Sequence, residues 1–576
     1  MKPASTRSTA PRSYTALGLS RRARLLLAVV SAVGMVLACP DYDVWWLAFV
    51  MWVPLLAAID GVRPKAALGY GTLTGAITVF WGFSWLSELL TKFAGFSLPA
   101  AVPIAALFSA YHGLIWGGSA MLIAWLARRA PTVPVWVTAP LVWVGVEATL
   151  PNIFPIYMAQ AWAWQPLLVQ AAEIGGVTMV SGLMVAINAG LFILAKRWLL
   201  GRRLDRPAAA VTFALVVGIP AYGALRIAQV EAQMEAAPKL RVGVVQGNMS
   251  IREMSTRKEK PRILARQQQM SRELQDQGAE LIVWGETSYP NGRVFVRQSV
   301  RDLPEGHEWR VRNGFSVPVI FGAVTRDHTG VEPYPFNTAI LIGEGDRILG
   351  MYDKVYRLVF GEYVPIVDPE WYLSMIPSAS HLEKGPGPGV IEMNGVRLGP
   401  FICYEDILPR FVRETANQDV HMFVNLTNDA WFGKTHEPAQ HLGLAALRTV
   451  EHRKGLVRSV NTGISTYIDP TGRAHVKTRV TDPDIEGPQE ADGFVVDVPL
   501  MDPDHRTLYG LTGELFNVLC ILGVGLIAFG GPRWAANAGV GASAGEAAET
   551  DTSKPDESSA AAGEEDPGPA PPSPSA

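Results

Sequence analysis

The sequence predicts a bundle of about eight transmembrane helices joined to a layered α/β sandwich domain. Seven long apolar stretches precede residue 232 and an eighth lies near residue 520, whereas short β-branched runs recur between residues 239 and 508. The chain has 576 residues, 49% of them hydrophobic, yet its last forty residues contain almost no large apolar side chain. Length and composition therefore indicate several regions of different physical class rather than one globular domain.

The apolar stretches are judged first by length, because a helix needs about 20 apolar residues to cross the hydrocarbon core of a bilayer. Several stretches reach that length, but the first, second and fifth are shorter, and the fifth contains Pro140 and Glu147. We interpret residues 24–232 as a seven-helix transmembrane region and residues 511–529 as an eighth helix. The predicted stretches are 24–38, 44–59, 68–90, 101–127, 135–150, 174–194, 208–228 and 511–529.

The basic residues between these stretches predict the orientation of the chain. Fifteen Lys and Arg residues lie in the N-terminal arm and in alternate connections, whereas the intervening connections hold only Lys92. Cytoplasmic connections carry an excess of Lys and Arg. This alternation also supports the weak fifth helix. We therefore expect residues 1–23 to be a basic cytoplasmic arm and residues 239–508 to lie in the periplasm of a bacterium, anchored in its inner membrane.

The C-terminal segment, residues 537–576, has a separate character. It is rich in Ala, Gly, Pro and Ser and carries eight acidic residues and one lysine. Such a composition cannot bury enough apolar surface to offset the entropy of ordering. We interpret it as a disordered acidic tail on the cytoplasmic side.

The region from residue 239 to residue 508 alternates between strand and helix signals. Its apolar runs are continuous rather than alternating, which indicates strands covered on both faces. Mixed strands and helices over this length favour a layered α/β sandwich. The predicted strands are 240–245, 281–284, 317–324, 339–342, 396–403, 420–425, 456–460, 466–469 and 494–498, and the predicted helices are 261–277, 408–416 and 438–454.

Cysteine and histidine usage bears on cofactors. The chain has three cysteines, of which Cys39 and Cys520 lie in or beside apolar stretches and Cys403 lies within the polar region. A disulfide framework is not indicated. His436 and His441 are five residues apart and share no helical face, so no metal-ligand spacing is seen. We expect no metal ion, no cofactor and no nucleic-acid partner.

Three polar residues share an unusual placement at the ends of apolar runs. Glu286 directly follows the apolar run 281–285, and Cys403 directly follows the run 398–402. Lys354 follows residues 350–353, which come after the run 339–342. Strand ends in α/β folds are where functional groups project into a crevice. A cysteine attacks as its thiolate and needs a base or a cation nearby, which Glu286 and Lys354 would supply. Taken alone, the three are explained more simply as a buried cysteine and two surface charges.

The residues around them favour the catalytic interpretation. The blocks 281–287, 352–354 with 360–365, and 403–405 resemble, in order, the three signature blocks of the nitrilase superfamily, and 425–433 resembles the block that follows them. Seven helices before such a domain and one after it is the architecture of the apolipoprotein N-acyltransferase family, and residues 173–188 are similar to its sixth-helix region. The resemblance covers residues 20 to 530.

The resemblance implies an α-β-β-α nitrilase-like domain and a specific reaction. Cys403 would take a fatty acyl chain from a phospholipid as a thioester, and the α-amine of the N-terminal cysteine of a diacylated apolipoprotein would then accept it. Glu286, Lys354 and Cys403 match the catalytic residues of the family. The further matching positions are Glu362, expected to orient Lys354, Tyr404 and Glu405 as supporting residues, and Asn428 and Trp431 as substrate-binding residues.

Two alternatives remain at this point. One is a membrane-anchored nitrilase-type amidase, in which water rather than an amine resolves the thioester. The other is a transporter or receptor that carries an inactive nitrilase-like domain as a binding module. The sequence also departs from the family pattern, because Gly285 and Val359 stand where prolines are usual and residues 249–257 lack an expected tryptophan. These departures bear on loop rigidity and acyl-chain contacts, and none of them removes a catalytic group.

Overall fold

The computed structural model describes residues 16–329, 334–365, 367–376, 379–479 and 490–537, with the side chains of 532–537 left aside. Most of the predicted arm 1–23 and nearly all of the predicted tail 537–576 lie outside these residues. The predicted boundaries of the arm and tail are therefore not tested.

The N-terminal part of the chain is helical, as predicted, and every predicted apolar stretch contains helix, although 44–59 is a 3₁₀ turn (Trp45–Phe49) followed by a seven-residue α-helix. Three helices of the described chain are long and apolar enough to cross a membrane, and a bent pair makes a fourth. The count of about eight spans stays a prediction, because the other apolar helices are short. The helices are α1 (Arg21–Ala38), α2 (Val53–Ile59), α3 (Pro64–Gly82), α4 (Trp85–Lys92), α5 (Leu98–Arg129), α6 (Val135–Thr149), α7 (Pro166–Val169), α8 (Ala172–Leu199) and α9 (Arg206–Ala236).

Two breaks distinguish this bundle from a set of straight helices. The predicted stretch 68–90 is two helices, because α3 and α4 meet at an angle of 54°. Helix α8 is interrupted at Gly175 and Gly176, and Gly176 has a φ of +73°, which a residue with a side chain rarely adopts. A Cβ on Gly176 would also lie 2.7 Å from the ring of Tyr509. The Glu451 carboxylate accepts the freed N–H of Val177 at 2.7 Å.

The second part contains two six-stranded sheets, ordered β12-β1-β2-β3-β4-β5 and β11-β10-β9-β8-β7-β6. The strands of the first sheet are β1 (Lys239–Gln246), β2 (Leu281–Trp284), β3 (Val319–Thr325), β4 (Phe336–Ile342), β5 (Ile348–Asp353) and β12 (Asp492–Pro499). Those of the second are β6 (Ile391–Met393), β7 (Val396–Ile402), β8 (Met422–Thr427), β9 (Gly455–Val460), β10 (Thr466–Ile468) and β11 (Ala474–Lys477). The accompanying helices are α10 (Ile251–Ser255), α11 (Lys260–Asp276), α12 (Pro369–Met375), α13 (Pro409–Ala416), α14 (Glu437–His452), α15 (Leu508–Thr512) and α16 (Leu515–Asn537).

The sheets pack face to face and helices cover their outer faces. The shared core joins Val242 and Leu281 of the first sheet to Ile402 and Val424 of the second. Helix α11 covers the outer face of the first sheet, and α13 and α14 cover that of the second. The result is the predicted layered α/β sandwich with two sheets. Strands β2, β4, β8 and β9 are buried along their whole length, which explains their continuous apolar runs.

Helix α14 joins the two parts of the molecule, and every residue of it except the half-buried Ala439 is buried. Its Gln440 donates to the carbonyl of Gly82 at 2.8 Å, at the bend between α3 and α4, and accepts from the indole of Trp85 at 3.1 Å. Just beyond its other end, Arg453 pairs with Glu173 of α8 at 2.8 Å. The sandwich is therefore held against both helix breaks.

Candidate active site

The three residues found at predicted strand ends lie at one edge of the sandwich. Glu286 follows β2 and Lys354 follows β5 in the first sheet, while Cys403 follows β7 in the second. The two sheets meet at this edge, where the N–H of Glu286 donates to the carbonyl of Thr427, the last residue of β8, at 3.3 Å. The predicted placement at strand ends therefore gathers the residues into one crevice.

Cys403 has a backbone conformation that residues with side chains rarely adopt. Its φ is +58°, in the left-handed region, at the junction between β7 and the 3₁₀ turn Cys403–Ile407. Thr287, directly after Glu286, is a second such residue with φ +48°. Backbone strain of this kind persists where surrounding structure holds a side chain in a functional position. Both strand ends that meet here thus leave their sheets through a strained residue.

Lys354 lies between two carboxylates in a group that we call the Lys354 cluster, formed by Glu286, Lys354, Glu362 and Asn337. Its ammonium is 2.8 Å from Glu362 and 3.3 Å from Glu286. The Asn337 amide donates to the same Glu286 oxygen at 2.7 Å and to Glu362 at 3.4 Å. Each ion is thus paired, and the hydrogen bonds fix the orientation of Glu286.

Burial and these charges shift the ionisation of the site. Desolvation raises the pKa of Glu286, the charge of Lys354 opposes that rise, and the charge of Glu362 adds to it. Desolvation also raises the pKa of the Cys403 thiol well above its usual range, against the attraction of Lys354. Burial acts to lower the pKa of Lys354, but the negative charges of ionised Cys403, Glu286 and Glu362 outweigh it and hold that pKa well above normal. At rest the site therefore holds a protonated thiol beside an ammonium, and Glu286 is a stronger base than an exposed glutamate.

Glu405 ties the strand end that bears Cys403 to the one that bears Lys354. Its buried carboxylate accepts the N–H of Ile402 at 2.8 Å, the N–H of Val355 at 2.7 Å and the hydroxyl of Tyr352 at 2.8 Å. Burial raises the pKa of Glu405 and the backbone N–H donors lower it, so that the net pKa is about 7. These contacts fix residues on both sides of Lys354 relative to Cys403.

The other predicted residues surround this core. The Tyr404 hydroxyl donates to the carbonyl of Arg357 at 3.0 Å, and its ring lies 5.8 Å from the Lys354 ammonium. The Asn428 side chain accepts from the amide of Asn461 at 3.1 Å. Trp431 lies edge-on to Phe93, the residue directly after α4, with ring centroids 5.0 Å apart. Tyr404 thus belongs to the polar centre, whereas Trp431 faces the helical bundle.

A large apolar cavity connects the helical bundle to Cys403. Its volume is about 1190 Å³, above the usual range of small-molecule pockets, which ends near ~1,000 Å³. Cys403, Glu286, Lys354, Glu362, Asn428 and Trp431 line it. The bundle contributes a wall that is almost entirely apolar: Leu86, Leu89, Leu90, Phe93, Ile104, Leu107, Phe108 and Phe154. A polar centre and a hydrocarbon-like wall therefore share one space.

A second buried set of charges lies beneath the Cys403 turn; we call Asp406, His441, Arg458, Asp429 and Glu437 the Arg458 network. Asp406 accepts from Arg458 at 2.7 Å and contacts His441 Nε2 at 2.9 Å, and Arg458 reaches Asp429 at 3.4 Å. Ligand atoms of Asp429, Glu437 and His441 lie within 4.8 Å of one another, a spacing that suits a metal ion. Arg458 Nη2, however, lies 3.1 Å from His441 Nδ1, so a guanidinium already supplies positive charge at that point.

Comparison with known proteins supports one family. Residues 31–190 match the family described as the apolipoprotein N-acyltransferase N-terminal domain, and residues 241–486 match the carbon-nitrogen hydrolase family. An apolipoprotein N-acyltransferase of Geobacter metallireducens is 27% identical over 87% of this chain and 94% of its own length. One from Rhizobium rhizogenes is 30% identical over 78% of this chain and 86% of its own.

The chain belongs to the apolipoprotein N-acyltransferase family. It is accordingly an enzyme of the nitrilase superfamily and a membrane protein with several apolar helices, as its sequence predicts. An amidase of that superfamily from Nesterenkonia, among solved structures, is 19% identical and covers 49% of this chain and 99% of its own, with a TM-score of 0.33.

Two features of this family member were missed from its sequence. Asn337, like the predicted residues, is a polar residue at the edge of an apolar run. It lies at the start of its strand, β4, whereas the predicted residues follow the ends of theirs. Because β4 is antiparallel to β3, that start lies at the same edge as the end of β3. His441 was set aside because it shares no helical face with His436, yet its partners come from other elements, which no spacing reveals.

Proposed function

We propose that this enzyme transfers a fatty acyl chain from a phospholipid to the N-terminal α-amine of a diacylated apolipoprotein through a thioester on Cys403. In the first half-reaction Glu286 takes the thiol proton, the sulfur bonds to the ester carbonyl carbon, and the C–O bond to glycerol breaks. The proton passes from Glu286 to the glycerol oxygen, and a lysophospholipid leaves. Lys354 stabilises the negative oxygen of the tetrahedral intermediate.

The second half-reaction uses the same groups. The neutral α-amine attacks the thioester carbonyl while Glu286 accepts one N–H proton. The C–N bond forms, the C–S bond breaks, and the thiolate recovers the proton from Glu286. The product is an amide and the free enzyme, with no oxidant, reductant or nucleotide consumed. Glu362 acts on Lys354, and Glu405 and Tyr404 hold the turn that carries Cys403.

The cavity is the observation that carries this proposal. Its wall from α4 and α5 is made mostly of Leu, Ile and Phe side chains, and it continues to the half-buried Cys403 and the buried Glu286 and Lys354. Small polar amides would leave that wall in contact with water. An acyl chain covers it and stays out of water on leaving the bilayer, which avoids a cost of about 0.8 kcal/mol per exposed CH₂ group. This favours a lipid acyl donor over the substrates of a soluble amidase.

The membrane orientation is part of the same proposal. The alternation of basic connections supports a cytoplasmic N-terminus, with residues 24–232 and 511–529 in the inner membrane of a bacterium and the catalytic region 239–508 on the periplasmic side. Both proposed substrates are anchored in a membrane leaflet, so they would reach Cys403 by diffusion in the plane of the bilayer.

Mass spectrometry of the intact protein tests the proposal. After incubation of the purified full-length enzyme with phospholipid, we expect a mass increase of one acyl group that hydroxylamine removes and that Cys403→Ala lacks. Adding a diacylated lipopeptide should then discharge the adduct and yield a triacylated peptide. An acyl adduct that forms but releases only free fatty acid would favour the membrane-anchored amidase instead. Absence of any adduct would favour the binding-module alternative.

A further inference from the structure

The segment between β1 and α11 carries an excess of positive charge at the wall of the cavity. Residues 252–262 contain five basic residues and two acidic ones. Both carboxylates are paired: Glu253 with Arg266 at 2.9 Å and Glu259 with Arg262 at 3.3 Å. The acids therefore do not neutralise the remaining basic residues of the segment.

Three of these cations make no hydrogen bond or ion pair with any part of the chain that the structure describes. They are Arg257, Lys258 and Lys260. Arg257 and Lys258 are exposed, but Lys260 is partly buried. Lys260 also opens helix α11, so the positive end of the helix dipole adds to its charge. An ordinary surface lysine has no such surroundings.

Lys260 lines the same cavity as Cys403. The other charged residues among the described lining are Glu286, Lys354 and Glu362, which pair with one another. Its neighbours on that wall, Ile251, Met254 and Ile263, are apolar. An unpaired ammonium beside an apolar wall leaves a charge for a ligand to neutralise, and a ligand that is apolar at one end and anionic at the other meets both demands.

We propose that Lys260 binds the head-group phosphate of the acyl donor and that this enzyme prefers phospholipids with a net negative head group. The proposal rests on the proposed acyl transfer. When the ester carbonyl lies at Cys403, the phosphate on the same glycerol stays close to the same cavity, where Lys260 and the neighbouring Arg257 and Lys258 attract it. A head group that carries its own ammonium would be repelled by the same three cations.

A competition between two donors tests this preference. The full-length protein is placed in nanodiscs of ether-linked phosphatidylcholine, which has no acyl ester to donate. Equal amounts of phosphatidylglycerol and phosphatidylethanolamine are added, with identical chains that differ only in isotopic label. The mass of the adduct on Cys403 then reports which donor supplied each acyl group, independently of the overall rate.

For the wild type we expect the phosphatidylglycerol chain to exceed the other about fivefold, which corresponds to one Lys charge near an anionic lipid. Lys260→Gln should bring the ratio close to one. Arg262→Gln is the matched control, because Arg262 lies two residues away, is exposed and does not line the cavity, and it should leave the ratio unchanged.

Three results would overturn the proposal. One is a wild-type ratio near one, and another is an unchanged ratio in Lys260→Gln. The third is a loss of the preference in an Arg257→Gln/Lys258→Gln variant that Lys260→Gln does not reproduce, which would assign it to general attraction at the membrane surface. If the wild type forms no adduct from either donor, the proposed acyl transfer itself fails and takes this inference with it.

Discussion

Two clusters of buried charge lie close to Cys403, and they differ in what they face. The Lys354 cluster lines the cavity, and its one ammonium is shared by two carboxylates at 2.8 and 3.3 Å. No member of the Arg458 network lines that cavity in the described chain, and Arg458 and His441 lie among three carboxylates beneath the turn. Both clusters combine carboxylates with a cation, but a ligand in the cavity can contact the Lys354 cluster and cannot contact the Arg458 network.

This difference predicts different roles. A buried ion pair contributes little net stability, but removing one partner from a sealed pair leaves an uncompensated charge. Glu286 and Glu362 instead line the cavity, where a carboxylate can exchange a proton with a bound substrate. We therefore expect the Lys354 cluster to govern the rate of reaction and the Arg458 network to govern folding stability.

The largest effect is expected at Cys403. Cys403→Ala should abolish acyl-enzyme formation and transfer, because no other described group can carry the acyl chain at this position. Glu286→Gln should keep the fold and lower the rate of adduct formation by about 10²–10⁴-fold, the usual contribution of a general base. Both are measured by mass spectrometry of the adduct over time. An adduct on Cys403→Ala would place the nucleophile elsewhere.

A matched pair of substitutions tests the comparison directly. Lys354→Met should lower the rate of transfer by about 10²–10³-fold, the usual cost of losing a group that stabilises the oxyanion, with little loss of thermal stability. Arg458→Met should do the reverse and lower the free energy of unfolding by about 3–5 kcal/mol.

Thermal unfolding in nanodiscs and the rate per folded molecule separate the two outcomes of this pair. The comparison fails if both variants lose activity and stability in the same proportion.

The pH dependence sharpens the role of Glu362. Glu286 must be ionised to act as a base, so activity should fall as pH falls through its raised pKa. Because the charge of Glu362 raises that pKa, Glu362→Gln should move the acid limb of the rate profile to lower pH. Because the charge of Lys354 lowers the pKa of Glu286, Lys354→Met should move the acid limb to higher pH. If the acid limb lies at the same pH in the wild type and in both variants, a group other than Glu286 controls the pH profile.

The smallest effect is expected at the boundary with the bundle. Trp431→Ala removes the edge-on contact with Phe93, worth about 0.5–1.5 kcal/mol, and should raise the KM for phospholipid a few-fold without changing kcat. Trp431→Phe keeps an aromatic ring and serves as the control. A fall in kcat with unchanged KM would instead give Trp431 a part in the chemistry.

Most strands could be predicted because their apolar runs are continuous, and the run 281–284 coincides with β2. The misses have a common cause. Strand β5 is only partly buried, β6 has three residues, and β11 is mostly exposed, so none of them has a strong apolar run. The break in α8 was missed because Gly175 and Gly176 lie within an apolar sequence, and it is Glu451, far along the chain, that caps the second half.

The sequence by itself determined the two-part architecture, the family and the identity of the residues at strand ends, because apolar runs and local motifs are written in consecutive positions. Only the tertiary structure decided which charges meet. Asn337 reaches Glu286 through an antiparallel strand, Asp406 meets His441 and Arg458 from three separate elements, and Lys260 shares a cavity wall with Cys403. Such contacts depend on how strands and helices are ordered in space, and no spacing along the chain encodes that order.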